Sequence, residues 1–118
     1  VTDFTLDQIK AVADVLHDDV YIDDKNKCVW VEIHENANPR RFQFNTLADD
    51  VCVALTGWLK KYAENMDCYV NILSGNEDGN EWHVNICRNN THVGEYYGGG
   101  ETIKEAVFQC VCKILGVA

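Results

Sequence analysis

The chain has 118 residues, 47% hydrophobic and 25% charged, a composition that fits one folded domain over residues 1–118 and excludes a disordered segment. A chain of this length buries roughly two-thirds of its unfolded surface, so it needs no covalent staples. Ten basic against 19 acidic residues leave a net charge of −9, which repels a phosphate backbone and favours a basic protein partner over direct nucleic-acid binding.

In chain order, the first helix signal is Thr5, followed by Gln8 and by an apolar stripe of Leu6, Ile9, Val12, Ala13 and Leu16. Threonine with Gln or Glu three residues on is a capping box. Next come five aspartates, Asp14, Asp18, Asp19, Asp23 and Asp24, flanking a short apolar segment at 20–22 that is a candidate extra strand. A calcium loop would need a central glycine and a closing glutamate, and neither follows. Val29, Val31 and Ile33 then alternate with Cys28, Trp30, Glu32 and His34, so they occupy opposite faces of a strand. The turn Asn36-Ala37-Asn38-Pro39 leads into a strand in which Phe42 and Phe44 alternate with Arg41 and Gln43.

Thr46 precedes a second helix pattern, Leu47, Val51, Ala54, Leu55, Trp58 and Tyr62, with Asp49 as a shorter capping-box acid. Lys60 and Lys61 are expected in its last turn, where they suit the helix dipole. Val70 and Ile72 alternate with Tyr69 and Asn71 up to a turn at Ser74-Gly75-Asn76. Asp78-Gly79-Asn80 is a further turn, beside the acidic group Glu77, Asp78 and Glu81. Val84 and Ile86 alternate with His83, Asn85 and Cys87, and a short strand from Val93 to Tyr97 ends at Gly98-Gly99-Gly100, read as a flexible turn. The last helix starts at Thr102 with Glu105 in capping-box position, carries Ile103, Val107, Cys110, Val111 and Ile114, and stops at Gly116.

The expected class is α+β, in the order αββαβββα: a mainly antiparallel sheet of about five strands with three helices. The run Val31-x-Ile33, hairpin, Thr46 helix is repeated by Val84-x-Ile86, hairpin, Thr102 helix, an internal ββα repeat. It predicts that both helices cover one face of a shared sheet and bury Trp58 and Ile114. The opposite face would then carry Trp30, Glu32, Tyr69, His83 and Cys87.

Chemistry-bearing patterns are sparse. His83, Cys87 and His92 with Cys110 and Cys112 have zinc-ligand identities, but strand spacing sets His83 and Cys87 roughly 13 Å apart, too far to share a metal. No metal or cofactor is expected. Ser74 is the sole serine and has no neighbouring base; Cys112 falls beside Glu105 and Gln109 on the polar side of its helix. An acidic neighbourhood suppresses a thiolate, so no nucleophile emerges and no enzyme is expected. Six scattered cysteines in a chain with its own core read as reduced thiols, hence a cytoplasmic protein. No apolar run reaches the ~20 residues of a membrane span.

Trp82, Val84 and Ile86, then Thr102-x3-Ala106-Val107-x2-Cys110 and Leu115, resemble the small phage-encoded proteins described as ABA-sandwich domains. The likeness spans Trp82 to Leu115 and implies a phage or prophage origin, hence the cytoplasm of an infected or lysogenic bacterium. Together with the acidity, it leads to an inhibitor of a basic host nucleic-acid-handling protein of the anti-restriction or anti-CRISPR kind, acting by nucleic-acid mimicry as a monomer or homodimer. Asp14, Asp18, Asp19, Asp23, Asp24, Glu77, Asp78 and Glu81 would supply charge, and Tyr21, Trp30, Tyr96 and Tyr97 the aromatic anchors. The alternative is a module holding a small molecule or nucleotide signal on a Trp30/Tyr69/His83 sheet face.

Overall fold

A computed structural model describes residues 4–35, 38–77 and 80–117. Its elements run α1 (Leu6–Leu16), β1 (Val20–Asp23), β2 (Cys28–Glu35), β3 (Asn38–Gln43), α2 (Asp49–Asn65), β4 (Cys68–Glu77), β5 (Asn80–Arg88), β6 (Gly94–Gly100) and α3 (Ile103–Leu115). The class is α+β, with three helices and all strand pairs antiparallel. Six strands replace the expected five, because the segment before Asp23 does pair, and they form two three-stranded sheets, β1-β2-β3 and β4-β5-β6, not one. The division stretches the molecule: its radius of gyration, 15.1 Å, exceeds the roughly 13.5 Å of a compact chain this long.

Capping sets two of the helices where the residues indicated. Thr5 accepts from the Gln8 N–H, and the Gln8 side chain accepts in return from the Thr5 N–H at 2.9 Å, a complete capping box. Thr102 accepts from the Glu105 N–H, and Gly116 closes α3 in the left-handed region at φ 74°. Glu105, however, turns its carboxylate to the Glu101 N–H. The second helix departs from expectation. Asn45 takes the Leu47 N–H on its side-chain oxygen, which turns the chain at Thr46-Leu47, and α2 starts only at Asp49, with Ala48 as an N-cap that has no capping side chain. Lys104 compensates from α3, donating to the Leu47 carbonyl at 2.7 Å and pairing with Asp49, whose carboxyl it holds below the usual range. Because α2 extends to Asn65, Lys60 and Lys61 fall short of its last turn.

Two glycine-bearing turn signals lie inside strands. β4 runs through Ser74-Gly75 to Glu77, with its irregularity confined to the pairing between Ser74 and Glu77. Gly98-Gly99-Gly100 is the end of β6, and the need for glycine there comes from packing. A Cβ on Gly98 would lie 2.2 Å from the Ala106 carbonyl oxygen and 2.4 Å from the Cys110 nitrogen, and one on Gly100 would lie 2.5 Å from Glu105 Cβ. The α3 backbone rests directly on these two residues.

Parity then assigns the faces. Val84 and Ile86 pair with Gly98 and Tyr96 on the β5–β6 side and with Ile72 and Val70 on the β4 side, so all point to the helices. Tyr62 of α2 meets the Tyr96 ring on that face. Both α2 and α3 therefore cover one face of the second sheet, as the repeat predicts, but that sheet is not shared with β2 and β3. The first sheet instead packs Val29 and Val31 beneath α1, and one apolar cluster continues through α1, α2, α3 and both sheets. Trp58 and Ile114 are only partly buried; Leu55, Leu59 and Phe108 occupy the centre, because Trp58 stacks on Tyr62 at the rim of α2.

Burial also revises the thiols. All six cysteines are free, and Cys112 is as fully buried as Cys110, not exposed, because α3 has sheet on one side and α1 on another. Burial pushes the Cys110 thiol up to about 12 and the Cys112 thiol to about 11. At neutral pH a thiol reagent should therefore modify half-buried Cys52 first and leave Cys110 and Cys112 unmodified until the chain unfolds, when all six react. Mass spectrometry of the labelled native protein checks this; early label on Cys112 would mean that α3 is not enclosed.

Candidate functional site

The β1–β2 hairpin is closed by Asp23, whose Oδ1 accepts from the backbone N–H groups of Lys25 and Asn26, each at 3.1 Å. Its Oδ2 accepts from Asn26 Nδ2 at 2.7 Å and from Trp30 Nε1 at 3.2 Å. The Asn26 amide is the main reason why the Asp23 carboxyl titrates below its usual range. Asp23 is thus the anchor of the turn. Trp30 is tied to it, and Tyr21 stands directly across from Trp30, 37% exposed on the outer face of the sheet. Arg41 of β3 lies over the Tyr21 ring, 5.9 Å from its centre.

At the other end of β1 the chain leaves α1 through Asp18 and Asp19. Asp19 Oδ2 is 3.0 Å from His34 Nε2, Glu32 Oε2 is 4.0 Å from the same nitrogen, and Arg41 Nε donates to Glu32 Oε1 at 3.5 Å. The Glu32 N–H donates to the Asp19 carbonyl at 2.9 Å, which fixes the approach of the two segments. Asp19, Glu32 and His34 have ligand atoms within 4.8 Å of one another, and with Asp18 they edge a hollow of about 330 Å³ between α1 and β2. Two carboxylates and an imidazole are donors suited to a divalent cation. Here Arg41 already brings positive charge to Glu32, and Asp19 and His34 are each 59% exposed. The group is a surface cluster of the Asp19–His34 hydrogen bond and the Arg41–Glu32 ion pair.

The five aspartates thus have unlike roles. Asp14 pairs with Lys10 one turn back at 2.8 Å, Asp19 with His34, and Asp23 with its own turn. Asp18 and Asp24 are exposed, and neither has a hydrogen bond or ion pair among the described residues. Asp14 on α1, Asp18 and Asp19 before β1, and Asp24 in the β1–β2 hairpin are all exposed, and Tyr21 is exposed on the strand between Asp19 and Asp24.

The remaining candidates lie elsewhere. Glu81 is exposed on β5, in the other sheet; Glu77 ends β4, and Asp78 is outside the described residues. Tyr96 and Tyr97 are on opposite faces, Tyr96 against Tyr62 under the helices and Tyr97 outward. Trp30 belongs to the first sheet while Tyr69 and His83 belong to the second, so no single face carries all three. On the outer face of the second sheet, His83 Nδ1 is 2.6 Å from the Tyr97 hydroxyl and its Nε2 is 3.0 Å from the Gly75 carbonyl oxygen. His92 Nδ1 meets the Tyr69 hydroxyl at 3.0 Å. Those two histidines are held by tyrosines, and Cys110 and Cys112 are enclosed in α3.

No protein-family model, curated protein or solved structure matches the chain. The site is therefore read from its own residues. Sequence reasoning missed the Asp19–Glu32–His34 cluster as a unit. Its signal was the Glu32-x-His34 spacing on one strand face; Asp19 joins only through the β1–β2 register.

Proposed function

We propose that this protein is a phage- or prophage-type acidic binding protein that inhibits a basic, nucleic-acid-handling host protein by occupying its nucleic-acid groove. The observation that carries the reading is the exposure of Asp18, Asp19 and Asp24 at the two ends of β1, with Tyr21 exposed on the strand between Asp19 and Asp24. Asp19 and Asp24 bracket a strand, so they stand roughly 16 Å apart, the rise of about five nucleotides along one strand. Carboxylates spaced over that length steer a cationic groove, and an amphipathic tyrosine gives the encounter a short-range contact. The net charge of −9 supports the same direction of attraction.

The test uses the immobilised full chain and bacterial lysate at low salt. It should retain a basic nucleic-acid-binding protein that duplex DNA displaces. The variant Asp18→Lys/Asp24→Lys should associate with that protein at least about tenfold more slowly, since exposed charges act on encounter, and should unfold at an unchanged temperature. Asp23 is left native because its reversal would open the hairpin. Tyr21→Ala should instead speed dissociation. Full inhibition by the charge-reversed variant, with an unchanged salt response, would show that mimicry is wrong. The small-molecule reading would then be confined to Tyr69, His83 and Tyr97 on the second sheet.

A further inference from the structure

We propose that the free edge of β4 is a self-association surface, on which a second copy of this chain docks by antiparallel strand pairing. Two three-stranded sheets leave four edges. An exposed edge invites pairing unless it is short, charged, broken by proline or irregular. β1 is only four residues long and carries Asp23; β3 contains Pro39, Arg40 and Arg41; β6 carries Glu95 and a register irregularity against β5. β4 is ten residues long and has neither charge nor proline from Cys68 to Asn76. Its irregular pairing is confined to the far end, beyond Ser74, and Ile72 and Leu73 are 36% and 51% exposed. Three edges are protected and the longest is not.

The helix beside this edge shows a second, independent feature. Thr56, Lys60 and Glu64 of α2 line a groove of about 300 Å³ together with Val70 and Ile72 of β4. Val53, Gly57, Lys60 and Glu64 recur at helical spacing, so they form one stripe along that border. Val53 is 72% exposed, and a Cβ on Gly57 would meet nothing within 4 Å. A glycine inside a helix costs about 1 kcal/mol relative to alanine, and nothing among the described residues of one copy fills the room it leaves. A second copy packed along this stripe would.

The occupant is a second copy because the surface complements itself. Antiparallel strands pair about a two-fold axis, which presents the same patch from both sides. The same axis runs the two α2 stripes antiparallel, so that Lys60 of one copy meets Glu64 of the other. Neither residue has an ion-pair partner within one copy among the described residues. This surface shares no residue with Asp18, Asp19, Asp24 and Tyr21, and the inference stands apart from the proposed function.

Sedimentation of the full chain from micromolar to millimolar concentration tests it. The mass should approach twice 13.4 kDa as concentration rises. Association should strengthen with salt, which screens repulsion between two strongly acidic chains beyond about 10 Å at 0.1 M. Ile72→Lys and Gly57→Gln should each weaken dimerisation at least tenfold; a Cβ on Gly57 meets nothing within 4 Å in the single copy, so the unfolding temperature of Gly57→Gln should hold or rise. Lys60→Glu should weaken the dimer and Lys60→Glu/Glu64→Lys restore it, a rescue that a different partner protein would not produce. A chain that is monomeric throughout, or a dimer indifferent to Ile72→Lys and Gly57→Gln, overturns the proposal.

Discussion

Gly98→Ala should destabilise the protein by about 3 kcal/mol or more, at or beyond the upper end of what overpacking usually costs. The reason is local and severe. The added methyl would sit 2.2 Å from the Ala106 carbonyl oxygen and 2.4 Å from the Cys110 nitrogen, both backbone atoms of α3. A flexible side chain can swing away; a helix backbone must move as a body, and α3 is held by β5, β6, α1 and α2. Gly57→Ala is the matched control, since its methyl meets nothing within 4 Å and should stabilise by up to about 1 kcal/mol through helix propensity. Urea unfolding of both variants checks the pair. A loss at Gly98 no larger than at an ordinary surface site would mean that α3 does not rest on β6.

Phe108→Ala should cost about 3–5 kcal/mol, the range for truncating a buried aromatic ring. Phe108 is 1% exposed on α3 and meets Phe4 with ring centres 4.3 Å apart, just ahead of α1. It therefore packs at the junction between the helix over the second sheet and the helix over the first. Trp58→Ala, although it removes a larger ring, should cost less, because Trp58 stacks on Tyr62 at the margin and keeps contact with water. Chemical denaturation of the two variants side by side decides the order. A Trp58 loss equal to or above the Phe108 loss would reverse the assignment of core and rim. A protein of this size has total stability of roughly 5–15 kcal/mol, so either Gly98→Ala or Phe108→Ala removes a large share of it.

Of the candidate site, what could be read directly was chemistry carried by single residues. The alternation around Val29, Val31 and Ile33 placed Trp30, Glu32 and His34 together on the other face of one strand, and the register confirms that placement. The joining of Trp30 with Tyr69 and His83 failed because period-two alternation reports which face a residue is on but not which sheet that face belongs to. Similarly, the five aspartates read as one charge run. Only the turn at Asn26 and the neighbouring Lys10 and His34 separate Asp18 and Asp24 from the paired three.

By itself the sequence determined the local rules: the Thr5 capping box, the Thr102 cap and the Gly116 stop, the apolar stripes, the alternating strands and hence the α+β class. These are set by hydrogen bonds and side-chain periods within a few residues. What only the tertiary structure decided was long-range. The strands divide into two sheets because α1 covers one while α2 and α3 cover the other. Gly98 and Gly100 belong to a strand and not a turn because a helix backbone lies against them. Cys112 is buried because α3 is enclosed on more than one side, which a helical stripe counted against a single partner surface does not reveal. Asp19 reaches His34 through a strand register, and a register depends on which faces are buried, a property of the assembled core.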